Sequence, residues 1–271
     1  MVRGWYTGAS GMNAQQKRLD AIANNLANVD TTSYKRDIAV SKSFPELLLR
    51  RMDDDGVYKQ PFGSADVAPI IGKIGLGVEL NELYTDFDQG SLKATDSDSD
   101  MALEGKGFFA VETPDGERYT RNGNFTVGVE GYLMTKEGYP VLGENGRIFL
   151  QDTKYTINKN GEVYVRPIAN TDADPVLLDR LKLVTFENDR FIKKQGSSLY
   201  KDTDVSGPAI AAEGKDRPAV IQGYVEASNV NVVNEMVQMI EVNRAYEANQ
   251  KSIQSEDTMM SKLWGDVVRV K

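Results

Sequence analysis

Cysteine and histidine are both absent from the 271 residues of this chain. Without cysteine no disulfide can brace the fold, which must stand on burial and hydrogen bonding in any redox compartment. The two absences together exclude zinc sites of the Cys/His type, cysteine nucleophiles and triads that use histidine as the base. They also remove the side chain best suited to proton transfer near neutral pH. Carboxylate chemistry, Ser–Lys pairs and oxygen-ligated metals survive this filter.

Basic charge is the next shortage. Lys and Arg total 32 against 40 Asp and Glu, a formal net charge of −8. A nucleic-acid partner would need a basic face for its phosphates, and an anionic membrane surface would need the same, so neither is expected. No run approaches the ~20 apolar residues of a spanning helix, which argues against membrane insertion. After Arg3 the chain continues Gly4-Trp5-Tyr6-Thr7-Gly8, without the apolar core of a secretory signal. That start fits a cytoplasmic protein or one exported without a cleaved signal peptide.

Motifs for ligands fail on inspection. Gly105-Lys106-Gly107-Phe108-Phe109 lacks the third glycine of a dinucleotide fingerprint and the Gly-Lys-Ser/Thr end of a P-loop. Asp96-Ser97-Asp98-Ser99-Asp100 alternates carboxylates, but Met101 and Gly107 stand where a calcium loop needs Gly and Glu. Carboxylates for glycoside hydrolysis are plentiful, yet no local pattern selects a pair. No catalytic residue, cofactor or metal ligand is therefore expected. A secreted carbohydrate-active enzyme or adhesin built on the central segment is the rival class.

What the chain does have is periodicity at both ends. Trp5, Met12, Leu19 and Leu26 recur every seven residues, with Gly8, Gln15, Ile22 and Val29 interleaved, a coiled-coil-like pattern. Gly4, Gly8 and Gly11 weaken this helix by roughly 1 kcal/mol each relative to Ala, unless a close partner requires small residues. At the other end Val232, Met239, Tyr246, Ile253, Met260 and Val267 are seven apart, with Met236 and Trp264 on the second seam position. Asn243, Gln250 and Asp257 share that second position, which points to a multi-helix assembly rather than a dry two-stranded zipper. From Val232 to Val270 there is no proline, so one helix of about 35–40 residues is expected. A single narrow seam this polar implies that the ends complete their ordering on docking to neighbours.

Between the ends the signals change. Residues 37–75 read as an irregular connector with one short helix: Ser43 as its cap, Pro45 and Glu46 in its first turn, then Leu47-Leu48-Leu49, stopped by Asp53-Asp54-Asp55-Gly56. Beyond Gly75, turn signals such as Asp115-Gly116, Asn122-Gly123, Glu130-Gly131, Glu137-Gly138, Asn145-Gly146 and Asn160-Gly161 separate short apolar runs, the cadence of antiparallel β structure. The expected class is α+β, with paired terminal helices and an inserted antiparallel all-β domain. Its segments are residues 1–36 (N-terminal helix), 37–75 (connector), 76–205 (β-rich outer domain), 206–229 (returning connector) and 230–271 (C-terminal helix).

Three stretches carry a family resemblance. The first is Ala23-Asn24-Asn25-Leu26-Ala27-Asn28, continuing to Ser33-Tyr34-Lys35. The second is Glu104-Gly105-Lys106-Gly107-Phe108-Phe109 with Tyr119-Thr120-Arg121-Asn122-Gly123-Asn124-Phe125. The third is Gly223-Tyr224-Val225-Glu226-Ala227-Ser228-Asn229-Val230-Asn231-Val232, running on to Asn243-Arg244-Ala245-Tyr246-Glu247. Together they resemble the signatures of the bacterial flagellar rod and hook family. The opening Arg3-Gly4-Trp5-Tyr6-Thr7-Gly8, with Phe44-Pro45-Glu46 and Gly138-Tyr139-Pro140, is most similar to members of the proximal rod, the distal rod being the close alternative.

The resemblance implies a structural subunit of the basal-body rod, stacked into a tube through the periplasm that transmits torque and passes exported subunits. It implies export by the flagellar type III apparatus and, as partners, other proximal and distal rod subunits. It marks Asn24, Asn25, Asn28, Ser228, Asn229, Asn231 and Arg244 as motif residues. Subunit contacts are expected at Leu19, Ile22, Leu26 and Val29 of the first helix. On the last helix they are expected at Val232, Met236, Met239, Tyr246, Ile253, Met260 and Trp264.

Overall fold

A computed structural model describes residues 2–50, 57–60, 63–66, 70–150, 153–167, 174–196, 198–214 and 217–269. The fold is α+β: a helix at each end, α1 (Val2–Ala27) and α2 (Val232–Arg269), and antiparallel strands between them. By internal contacts the chain divides into two discontinuous units. The first comprises residues 1–23, 38–83 and 236–271, and the second residues 24–37 and 84–235.

In the first unit α1 and α2 lie against each other at the glycines. A Cβ on Gly8 would come 2.8 Å from Ile253 Cγ1, and one on Gly11 2.8 Å from Asn249 Nδ2; Gly4 faces the Glu256 carboxylate. The α1 numbers rise as the α2 numbers fall, so the helices run antiparallel here. The glycines that weaken α1 in isolation are thus positions where α2 leaves no room for a side chain. The inner face of α2 carries Met239, Val242, Tyr246, Asn249, Ile253, Glu256 and Met260, spaced alternately three and four, with Val242 fully buried. The second seam line therefore runs through Val242, Asn249 and Glu256. Met236 and Trp264, one residue round the helix from that line, are exposed. Of the expected seam, the side chain of Val267 lies outside the described residues, as does Val270 at the end of the expected helix.

The connector differs from the sequence reading. No short helix forms at Leu47-Leu48-Leu49. Residues Leu47–Arg50 are a strand, paired antiparallel with Ile70–Ile74 in the register Leu47↔Ile74, Leu48↔Lys73 and Leu49↔Gly72. Val57–Gln60 and Gly63–Asp66 pair in the same sense, and Asp37–Ser43 pairs with Val78–Thr85. Ser43 ends the strand Asp37–Ser43 and Glu46 faces Lys73 Nζ at 3.2 Å, so the local capping pattern is not used. A helix of so few residues cannot offset its nucleation cost, whereas a strand gains a ladder partner more than twenty residues away. The acidic stop signal Asp53-Asp54-Asp55-Gly56 lies outside the described residues.

The second unit is built on a six-stranded antiparallel sheet. Its order is Lys193–Gln195, Leu199–Lys201, Gly116–Thr120, Phe108–Thr113, Leu183–Thr185 and Ile210–Ala211. Both faces of its centre are covered, which is why Phe108-Phe109-Ala110-Val111 is apolar at every position rather than at alternate ones. Phe109, Val111 and Leu183 join one core with Met101, Leu103, Leu133, Val163 and Val220. Phe108, Ala110 and Val184 join the other with Tyr119, Ile192 and Tyr200. In that second core Phe87 and Tyr200 meet Phe108 edge-on at 5.3 and 5.6 Å. Gly131, Gly138, Gly146 and Gly161 take the positive φ their turns require. Gly123 does not: its place is against the Met101 carbonyl, where any side chain would collide with backbone.

Two predictions follow from these packings. Gly8→Leu should lower the melting temperature of the 222-nm helical signal, because the added side chain enters space held by Ile253; an unchanged melt would mean the helices do not pack there. In the second unit, burial, aided by the carboxylates of Glu117 and Asp202, pushes the Tyr119 phenol up to about 12 from its ordinary 10. A phenol raised in the folded state contributes stability below pH 10 and loses it as pH climbs toward 12. Urea midpoints should fall between pH 10 and 12, and Tyr119→Phe should make that fall shallower.

Candidate functional site

The three signature stretches meet inside the second unit, around one carboxylate. Glu226 ends the strand Tyr224–Glu226 and is 1% exposed. Its Oε1 accepts from Lys35 Nζ at 2.7 Å and from the Gly90 backbone N–H at 2.9 Å. Its Oε2 accepts from Arg121 Nε at 2.9 Å. Its backbone carbonyl accepts from the Ser33 N–H at 2.8 Å. Lys35 is fully buried and also donates to the Asp88 carbonyl at 2.7 Å. Arg121 spends its remaining donors on the carbonyls of Gly107 at 2.8 Å and Gly105 at 2.7 Å. Glycine at 105 and 107 allows this, since both take positive φ, at 108° and 154°. Burial pushes the Lys35 ammonium below its ordinary value, opposed by the Glu226 charge and hydrogen bond.

The motif asparagines act as backbone surrogates. Asn25, 2% exposed, grips the Asp37 main chain at both ends: Nδ2 donates to its carbonyl at 2.9 Å and Oδ1 accepts from its N–H at 2.8 Å. Asn25 Nδ2 also reaches Glu235 Oε2 at 3.3 Å. Asn229 accepts from the Arg36 N–H at 2.9 Å and donates to the Asp86 carbonyl at 2.8 Å. Asn28 donates to the Asn24 carbonyl at 2.8 Å at the end of α1, and Asn24 Oδ1 accepts from it at 3.0 Å. Asn231 caps α2, its Oδ1 accepting from the Asn234 N–H at 3.1 Å. Ser228 Oγ accepts from the Val230 N–H at 3.2 Å. Arg244 is exposed on α2 and belongs to no cluster of the motif residues.

Lys35, Arg121 and Glu226 were not singled out by sequence reasoning, although each lies in a quoted stretch. The available signal was that each stretch carries a charged residue beside apolar and small ones. Spacing could not reveal it, because the partners are 105 and 191 residues apart.

The expected contact residues differ in their exposure within the single chain. Ile22 is buried within the chain; Leu19, Leu26, Val29, Val232, Met239, Tyr246, Ile253 and Met260 are half-buried. Met236 and Trp264 are 49% and 67% exposed. Their exposed apolar neighbours on α2 are Val237, Ile240, Met259 and Leu263. Leu47, Leu48 and Leu49 add a second exposed patch on a two-stranded ribbon, an element of marginal stability in water on its own.

The rival reading needs facing carboxylates in a pocket. The second unit has an open pocket of about 760 Å³ lined in part by Glu144, Glu213, Arg180 and Arg217. Glu144 is engaged there by Arg217 at 3.3 Å and Arg180 at 3.8 Å, which leaves it poorly placed as an acid or base. Among the described residues no helix is long and apolar enough to cross a membrane.

Removing the central carboxylate leaves two buried cations with only carbonyls to face. Glu226→Gln should cost about 3–5 kcal/mol, the usual penalty for breaking a buried pair from one side. Urea denaturation followed by tyrosine fluorescence measures it; a loss below about 1 kcal/mol would show that the cluster is solvated and weak.

Comparison with known proteins matches the same segments. Residues 6–35 match the family described as flagella basal body rod protein, and residues 102–165 match the flagellar hook protein FlgE/F/G D1 domain. Residues 221–263 match the flagellar basal body rod FlgEFG protein C-terminal family. The flagellar basal-body rod protein FlgG of Buchnera aphidicola subsp. Acyrthosiphon pisum is 37% identical, over 97% of this chain and 99% of its own. That of Borreliella burgdorferi is 36% identical over 96% and 97%. The flagellar hook-basal body complex protein FlhO of Bacillus subtilis is 32% identical over the full length of both. The chain belongs to the flagellar basal-body rod protein family and is a structural subunit of the rod, not an enzyme.

Proposed function

We propose that this chain polymerises through its terminal helices, which pair in coiled-coil fashion within each subunit and present their outer faces to neighbours. The observation that carries this is the number of exposed apolar residues along α2, where Met236, Val237, Ile240, Met259, Leu263 and Trp264 are all 45% or more exposed. Exposed apolar residues concentrated on one helix mark a surface meant for burial. Its occupants are copies of this chain and other rod subunits. The strand-rich part between the helices is an inserted domain that faces outward from the tube. The exposed leucines at 47–49 supply a second contact.

The full-length similarity to proteins named FlgG favours the distal rod, which the sequence motifs ranked second, over the proximal rod. Delivery through the flagellar export apparatus and residence in the periplasmic section of the rod complete the reading.

Met236→Asp with Trp264→Asp tests it. Both positions are exposed in the single chain, so the variant should keep its fold, read by circular dichroism. It should be missing from isolated basal bodies, and cells relying on it should not swim. Normal rods containing the double variant would overturn helix-mediated assembly. Immunogold labelling of wild-type basal bodies should place the chain toward the hook end; label confined to the membrane-proximal end would restore the proximal alternative.

A further inference from the structure

We infer that Asn145 is a deamidation site, and that its conversion to a carboxylate loosens the turn 143–146 from Asp179. This concerns the second unit alone and does not rest on how the subunits assemble.

Asparagine followed by glycine is the pair most open to this chemistry, because no Cβ shields the glycine nitrogen from the asparagine side chain. The glycine N–H gives up its proton, and the nitrogen attacks asparagine Cγ. The side-chain amide leaves as ammonia, and a five-membered succinimide closes. Water then opens the ring at one carbonyl or the other, leaving aspartate or isoaspartate. The balance is water in and ammonia out, so no oxidant or metal is required. The step depends on an unengaged nitrogen and on a side chain that can reach it.

The sequence holds three such pairs, Asn122-Gly123, Asn145-Gly146 and Asn160-Gly161, and the fold shields two of them. Asn122 is half-buried, and its Oδ1 accepts from the Asn124 N–H at 3.1 Å and from Thr32 Oγ1 at 3.2 Å. Gly123 is buried against the Met101 carbonyl, with no room to turn. Gly161 is buried too, and its N–H is spent on the Asn158 carbonyl at 2.8 Å. The Asn160 carbonyl is held by Arg217 Nε at 2.9 Å and Arg180 Nε at 3.2 Å.

The third pair is open. Asn145 is exposed in a turn closed by the Gly143 N–H on the Gly146 carbonyl at 2.6 Å. Among the described residues the Gly146 N–H has no hydrogen-bond partner, and nothing lies within 4 Å of where a Cβ on Gly146 would stand. The hold on the Asn145 side chain is one exposed hydrogen bond, Nδ2 to Asp179 Oδ1 at 2.9 Å, which water competes for.

That same bond makes the conversion felt. Asp179 Oδ2 also accepts from the Asn145 N–H at 3.3 Å, and the neighbouring Glu144 N–H donates to the Arg180 carbonyl at 2.8 Å. A carboxylate at 145 removes the donor and sets two like charges within hydrogen-bonding distance. Gly143 lies tight against Asp179, so the turn cannot relieve the repulsion by closing in. It moves off the strand Val176–Arg180 instead.

Peptide mapping of the folded full chain, aged in mildly alkaline buffer, tests the site. The mass shift of an amide becoming an acid should accumulate at residue 145 at least tenfold faster than at 122 or 160, while in urea the three rates should converge. Equal rates in the folded chain, or 122 or 160 converting first, would overturn the inference. Asn145→Asp tests the consequence by native-state hydrogen exchange: protection of the Gly143 and Glu144 amides should fall at least tenfold. Adding Asp179→Asn should recover part of it. Unchanged protection in the single variant, or no recovery in the double, would overturn the loosening.

Discussion

One carboxylate holds two buried cations, and much of the second unit is arranged to let it do so. Taking Lys35 and Arg121 out of water is expensive, and only a partner with good geometry and full hydrogen bonding offsets that cost. Glu226 provides it with both oxygens, and the glycines at 105 and 107 bring carbonyls to the far side of Arg121. Ser33 accepts a left-handed backbone, φ 56°, and from there its N–H reaches the Glu226 carbonyl. A buried ionic cluster is a poor source of stability compared with apolar packing. Its use here is specificity: of all arrangements of the N-terminal segment, only one neutralises Lys35. The result is a fixed point from which α1 leaves in one direction of the chain and α2 in the other.

The helices themselves obey a different constraint. Gly4, Gly8 and Gly11 give up helix propensity so that α2 can approach at Glu256, Ile253 and Asn249. The inner line of α2 is only partly apolar, and among the described residues Trp5 Nε1, Gln15 Oε1 and Glu256 Oε2 are buried without a hydrogen-bond partner. A helix pair with this much unmet polarity, and with many apolar side chains of α2 left exposed, is better suited to a larger bundle than to standing alone. This is the physical content of a subunit that works by polymerising.

Much of the fold was legible in the sequence because its signals are local. The 38-residue α2 follows from an uninterrupted periodic stretch, and its cap Asn231 sits where capping rules place it. The Gly131, Gly138, Gly146 and Gly161 turns follow from residue type. The strand at Leu47–Arg50 was not legible, since its helix-like cap signal is local and its partner at Ile70–Ile74 is not. Heptad counting set Met236 and Trp264 on the second seam position, yet both are exposed in the single chain, whereas Val242 is buried and Asn249 and Glu256 lie against α1. The charged cluster was least legible. Nothing within a few residues of Lys35 announces Glu226, and only the fold brings the signature stretches into register.

Density for the assembled rod tests the central claim most directly. Cryo-electron microscopy of basal bodies in which this chain is the subunit, at a resolution that traces side chains, would place every exposed residue of α2. The account predicts that Met236, Ile240 and Trp264 are buried against neighbouring subunits, with α1 still lying against α2 at Gly8 and Ile253. A rod in which those residues face open solvent, or in which the strand-rich part alone joins the subunits, would contradict it.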